Sequence, residues 1–236
     1  MSIAARQILA VGEEKPKFLS WLQSNGNGYV DTGFAPSSIN TRILISASYT
    51  QTPTTTAPLV FAGCSVAVNA NDDKVGFGFS PVFNDRQIYF RVGKSRWWNN
   101  RANTGNWKGG TMTNIEVGLI SETAATGSKD GSTIAMVNEG STSTETYPRV
   151  MPTESQVIFG SKSGTAYSMV NSIYKVRRVA YSLNGTILAD FNAARLGSVC
   201  GFYDIVNNLF CPGVGTFSEG SVIEDFGSGG GVILNA

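Results

Sequence analysis

Apolar and polar residues alternate with period two along most of the chain, and Gly, Asn, Asp and Pro break the alternation at short intervals. That pattern predicts short strands joined by tight turns, packed as a β-sandwich. Thr41 to Tyr49 puts Ile43, Ile45, Ala47 and Tyr49 on one face, and Met112 to Ile120 puts Ile115, Val117 and Leu119 on one side. Arg86 to Val92 reads as another strand. Leu59-Val60-Phe61, Val75 to Phe79 and Val157-Ile158-Phe159-Gly160 read as short core segments. Asp130-Gly131 supplies a hairpin turn into Thr133 to Val137. Ala4 to Val11 is the one helix candidate, because no segment longer than about ten residues holds a 3.6-residue period. Gln51 to Thr56 and Gly140 to Thr146 are Thr/Ser-rich and read as loops.

Between Ser172 and Gly220 the pattern predicts two successive hairpins. Tyr174 and Val176 alternate, the phase shifts at Arg177-Arg178, and Val179 and Tyr181 resume it, so a bulge is expected there. Asn184-Gly185 suits the two positive-φ positions of a type I′ turn. The returning strand carries Ile187, Ala189 and Phe191 on one face. Gly201-Phe202-Tyr203-Asp204 enters the second hairpin, Asn207-Asn208 turns it, and Leu209-Phe210-Cys211 leads on to Gly213-Val214-Gly215-Thr216-Phe217.

This order of signals resembles the C-terminal part of the concanavalin A-like lectin/glucanase (LamG-type) jelly-roll domains. Those domains occur in bacteriophage virion proteins and gut-bacterial surface proteins. Phe18-Leu19-Ser20-Trp21-Leu22 and Gly28-Tyr29-Val30-Asp31-Thr32-Gly33 look like the family's opening strands. The resemblance implies an all-β, antiparallel concanavalin-like jelly roll over residues 17–220. An N-terminal arm would precede it at 1–16, and a Gly-rich C-terminal arm would follow at 221–236. It further implies that Asp204 accepts hydrogen bonds from turn N–H groups and that Tyr203 covers the sandwich edge.

At 236 residues the chain suits one sizeable sandwich domain. Charged residues are 15%, below the roughly 25% of an average globular chain, so the surface is expected to be rich in hydroxyls and amides. A net charge of +1 disfavours nucleic acid and an anionic membrane as partners. Cys64, Cys200 and Cys211 are odd in number and unrelated in spacing, which fits buried thiols made in reducing cytosol better than a disulfide framework. Cys200 and Cys211 nonetheless lie close enough in sequence for a bridge to be considered. Met1 to Val11 has no secretory h-region or cleavage site, and no run approaches the ~20 apolar residues of a membrane span.

The absence of histidine removes Ser-His-Asp and Cys-His catalysis and histidine metal sites. Concanavalin-like glycosidases carry acid and nucleophile on one strand as Glu-x-Asp-x-x-Glu, and that string is absent here. Glu116, Asp204 and Glu224-Asp225 are read as surface charges or turn caps, and no enzyme is expected. Asn71-Asp72-Asp73 with Asp85 offers oxygen ligands of the kind calcium takes, but the spacing matches no defined loop, and such residues ordinarily make turns.

The densest recognition candidate is Trp97, Trp98, Asn99, Asn100 and Arg101 with Trp107. Indole faces stack on sugar C–H faces while amides and guanidinium bond hydroxyls, and Trp and Arg equally anchor subunit interfaces. The plainer alternative is that these indoles fill the core and its edge. On an extended strand at most one of Trp97 and Trp98 faces inward. Resemblance, missing signal and cysteine usage together lead to an expected non-enzymatic structural component of a bacteriophage virion. It would be made in the host cytoplasm without a signal peptide and displayed on a capsid, fibre or tail. Its partners would be other virion subunits, in a homo-oligomer or lattice. A carbohydrate-binding, lectin-like module is the alternative.

Overall fold

The computed structural model describes residues 15–49, 62–65, 76–82, 87–93, 95–99, 110–121, 124–138, 151–163, 166–169 and 174–224. The helix candidate Ala4 to Val11 and the segment Leu59-Val60-Phe61 lie outside them. Twenty strands run through the described residues: β1 (Lys17–Phe18), β2 (Leu22–Ser24), β3 (Val30–Asp31), β4 (Arg42–Tyr49), β5 (Ala62–Ser65), β6 (Gly76–Val82), β7 (Gln87–Gly93), β8 (Ser95–Asn99), β9 (Thr113–Ser121), β10 (Ala124–Lys129), β11 (Ser132–Ile134), β12 (Met136–Asn138), β13 (Val157–Ile158), β14 (Gly160–Ser163), β15 (Ala166–Met169), β16 (Tyr174–Leu183), β17 (Thr186–Leu196), β18 (Val199–Asp204), β19 (Leu209–Pro212) and β20 (Phe217–Glu219).

They form the two sheets of a β-sandwich, as the period-two pattern predicts. One sheet has the order β11-β10-β9-β4-β16-β17-β18-β19, and the other β12-β8-β7-β6-β5-β13-β3. Pairing is antiparallel except where Gly160 meets Ala62 of β5. β11 and β12 are one continuous run that crosses from the first sheet to the second at Ala135.

The turn chemistry works as the residue types require. Asn184 and Gly185 hold φ of 50° and 79°, and Asp130 and Gly131 hold 47° and 81°, as type I′ hairpins demand. The β16–β4 register slips between Val176 and Arg178, which is the bulge that the phase shift predicted. A second slip, between Tyr181 and Ser182 on the β17 side, carries no comparable sequence signal. Beyond the bulge β16 and β17 part, and the opening segment fills the gap. β2 pairs with Val176 and Lys175 of β16, and β1 pairs with Ala194 and Arg195 of β17.

The core lies between the sheets. Tyr181 of β16 meets Phe77 of β6, and Phe34 packs against both Tyr181 and Phe191. Tyr181, Phe77 and Phe191 are fully buried. Each such ring removes roughly 150–250 Å² of mostly apolar surface from water, which is the main force holding the layers together. At the other end Phe159 packs on Phe202 and Phe217. Phe159 is buried at φ 66°, a region costly for a bulky side chain, and it marks where β13 turns sharply into β14.

Candidate functional site

Chemistry-bearing residues gather in three places: the signature turn, the tryptophan strand, and a polar cluster on β3. In the signature turn Asp204 is buried. Its Oδ1 accepts the backbone N–H groups of Asp190 at 3.0 Å, Val206 at 3.0 Å and Asn207 at 3.3 Å, and its Oδ2 accepts Asn207 Nδ2 at 2.6 Å. Neighbouring Asp190 is gripped in bidentate fashion by Arg178, at 2.7 and 2.8 Å, and accepts Asn192 Nδ2 as well. Tyr203 turns its ring edge-on to Phe18, with centroids 5.9 Å apart. Asp204 therefore closes the hairpin loop against the adjacent strand, a scaffold task.

The tryptophan strand is β8. Trp97 pairs with Phe90 on one side and Asn138 on the other, and Trp98 pairs with Tyr89 and Val137. Phe90 is a fully buried position. Asn99 pairs with Met136 at the end of β8. Asn100, Arg101 and Trp107 lie outside the described residues, as do Asn71, Asp72, Asp73, Asp85 and Asp225 of the other candidate groups. Among the described residues no group of three or more His, Cys, Asp or Glu is placed to hold a metal ion. Glu116 pairs with Arg42 at 3.1 Å, and Glu224 is exposed.

The polar cluster joins residues far apart in the chain. Thr32 N–H and Oγ1–H both donate to the carbonyl of Gln156, and Gln156 N–H donates to the carbonyl of Phe34. Those bonds lay Asp31 beside Ser155. The sharp turn at Phe159 then brings β14 and β15 back over the same spot. Asp31 Oδ1 accepts Ser155 Oγ at 2.5 Å and Gly33 N–H at 3.0 Å, while Oδ2 accepts Lys162 Nζ at 2.7 Å and Tyr167 OH at 3.0 Å. Lys162 also donates to Ser155 Oγ at 3.1 Å and lies 5.5 Å from the Tyr167 ring centroid, while Tyr29 stacks on Tyr167 at 4.3 Å.

Burial would raise the Asp31 carboxyl, but the donors from Lys162, Ser155, Gly33 and Tyr167 outweigh it and hold the group below its usual range. Burial alone would lower Lys162, but Asp31 outweighs that and raises it. Tyr167 is raised by burial and by Asp31. These bonds make the Ser-Lys-Tyr-Asp set a clasp that ties the β14–β15 hairpin to β3. Sequence reading did not find it, since residues of ordinary type meet across 124 to 136 positions with no local motif.

Cys200 and Cys211 are both free thiols, so they form no bridge with each other. Cys200 donates to Glu219 Oε2 at 3.1 Å, and Glu219 also binds Arg195 at 2.6 Å. Burial and then the Glu219 carboxylate push the Cys200 thiol up to about 11. No family model matches the chain, and no curated protein matches it either.

Proposed function

We propose that this chain is a non-enzymatic structural module of a bacteriophage particle, built on a concanavalin-like jelly roll and held to neighbouring subunits through its two terminal segments. One observation carries the reading. Both ends of the sandwich are stitched side by side, with Ile223 N–H donating to the carbonyl of Phe18, Ser20 N–H donating to that of Ser221, and Leu19 facing Val222. The first and last described parts of the chain therefore lie together on one ribbon, which suits a body tethered at one place and projecting elsewhere.

The engagement of three carboxylates among the described residues supports a non-catalytic role. Asp204 and Asp190 are occupied by backbone donors, Arg178 and amides, and all four acceptor positions of Asp31 are filled. A glycosidase instead needs one free carboxyl acid and one free carboxylate across a cleft. The test is localisation. An antibody raised against the recombinant sandwich should label particles released by lysis of the source culture. Labelling confined to host membranes or soluble host fractions would defeat the proposal.

A further inference from the structure

We propose that Asn184, at the tip of the β16–β17 hairpin, is the site of spontaneous deamidation in this chain, and that the buried hydroxyl of Ser24 spares the two other Asn-Gly pairs. Asn25-Gly26, Asn27-Gly28 and Asn184-Gly185 share the same local chemistry. In each, the backbone nitrogen of the glycine can attack Cγ of the asparagine before it. A C–N bond forms, ammonia leaves, and water then opens the five-membered imide to aspartate or isoaspartate. Glycine favours the step because no Cβ shields its nitrogen. Water is the sole co-reactant.

All three asparagines are exposed, so access to water does not separate them. Hydrogen bonding does. Attack needs a glycine N–H that is free to give up its proton and a carboxamide that is free to swing onto the nitrogen. Ser24 Oγ accepts Gly28 N–H at 2.9 Å and Gly26 N–H at 3.2 Å, and Ser24 is only 1% exposed. One hydroxyl thus engages both nucleophiles through its two lone pairs. The carboxamides are held as well. Asn27 Oδ1 accepts Thr216 N–H at 3.2 Å and Thr216 Oγ1 at 2.9 Å, and Asn25 Oδ1 accepts Ser218 Oγ at 2.9 Å. Gly28 is also buried, and a Cβ there would lie 2.8 Å from Phe217, so the imide has little room to form.

The Asn184 pair has none of these restraints. The ladder pairing belongs to the flanking residues, Leu183 with Thr186, and neither the Asn184 side chain nor Gly185 N–H has a hydrogen-bond partner among the described residues. A Cβ on Gly185 would meet no atom within 4 Å. Isoaspartate at 184 would route the backbone through the former side chain, adding an atom to a two-residue turn and working against the Leu183–Thr186 register. Either product adds one negative charge and takes the formal net charge from +1 to zero, a condition that promotes association.

The test holds the full chain at pH 8 and follows each pair by peptide mass spectrometry, with isoaspartate and aspartate separated by chromatography. Each rate is divided by that of the same pair in urea-unfolded chain. On this scale Asn184 should react at least about tenfold faster than Asn25 or Asn27, because at least two hydrogen bonds must break first in each of those. Ser24→Ala should speed Asn25 and Asn27 at least about threefold and leave Asn184 unchanged. If Ser24→Ala melts early, Ser218→Ala, a change at an exposed position, should still speed Asn25 about twofold. The melting temperature of wild type should fall as isoaspartate accumulates, and Asn184→Gln should remove the early modification. The proposal fails if Asn25 or Asn27 reacts as fast as Asn184 in the folded chain, if neither serine variant speeds its asparagines, or if another asparagine is modified first.

Discussion

Replacing Asp204 by alanine should cost about 2–3 kcal/mol, and the structure says where the cost arises. The N–H of Asp190 points at Asp204 Oδ1 from a residue only 3% exposed, so it has no water to turn to. An unsatisfied buried donor costs about 1–3 kcal/mol. The Val206 and Asn207 donors belong to exposed residues and rehydrate, adding only about a few tenths of a kcal/mol each. For a domain of this size 1 kcal/mol corresponds to about 2–4 °C, so the midpoint should fall by roughly 4–12 °C in calorimetry. Asp204→Asn retains Oδ1 as an acceptor and should lose only about 1 kcal/mol. Arg178→Met strands the Asp190 carboxylate and should cost about 3–5 kcal/mol. Because both changes act on Asp190, the Asp204→Ala and Arg178→Met effects should not add. A midpoint for Asp204→Ala within about 1 °C of wild type would refute the reasoning, since it would mean the turn closes without its acceptor.

Two further outcomes follow from the geometry. The Asp31 carboxyl is lowered in the folded state, so its stabilisation is present above the unfolded value of 3.8 and is lost as pH falls through the folded value. Wild type should accordingly lose melting temperature more steeply than Asp31→Asn between about pH 5 and pH 2, and parallel profiles would dismiss the clasp. With its thiol pushed up to about 11, Cys200 should alkylate at pH 8 roughly a hundredfold more slowly than a thiol at 9.0, read by peptide mass spectrometry, and Glu219→Gln should speed it. Reaction at the rate of a free thiol would contradict the Glu219 contact.

What the sequence made legible was local. Alternation located β4, β7 and β9 to within a residue or so, the phase shift at Arg177-Arg178 revealed the bulge, and Asn-Gly and Asp-Gly placed two turns. The turn role of Asp204 was expected from the resemblance, and two of its donors lie two and three residues away. The Val157 to Gly160 run looked like a single strand, but Phe159 breaks it, and no propensity foretells an aromatic residue at positive φ when tertiary packing enforces it. The Asp31 clasp was invisible for the same reason. Asp31 meets Ser155, Lys162 and Tyr167 across 124 to 136 positions, and each residue is commonplace until topology pairs it. The terminal stitching likewise emerges only once β1 and β2 are seen between β16 and β17.

On the proposed reading the sandwich is a self-sufficient body held to a particle through its terminal segments. The described members of its core run from Leu19 to Cys211, so deleting Met1 to Pro16 or Gly227 to Ala236 should leave folding intact. Co-sedimentation of tagged full-length and truncated chains with particles assembled in the source host tests this attachment. Full-length chain should pellet with particles while each truncation stays in the supernatant with a melting temperature near that of wild type. Truncated chains that pellet as fully as the intact one, or a full-length chain that never enters the pellet, would contradict it.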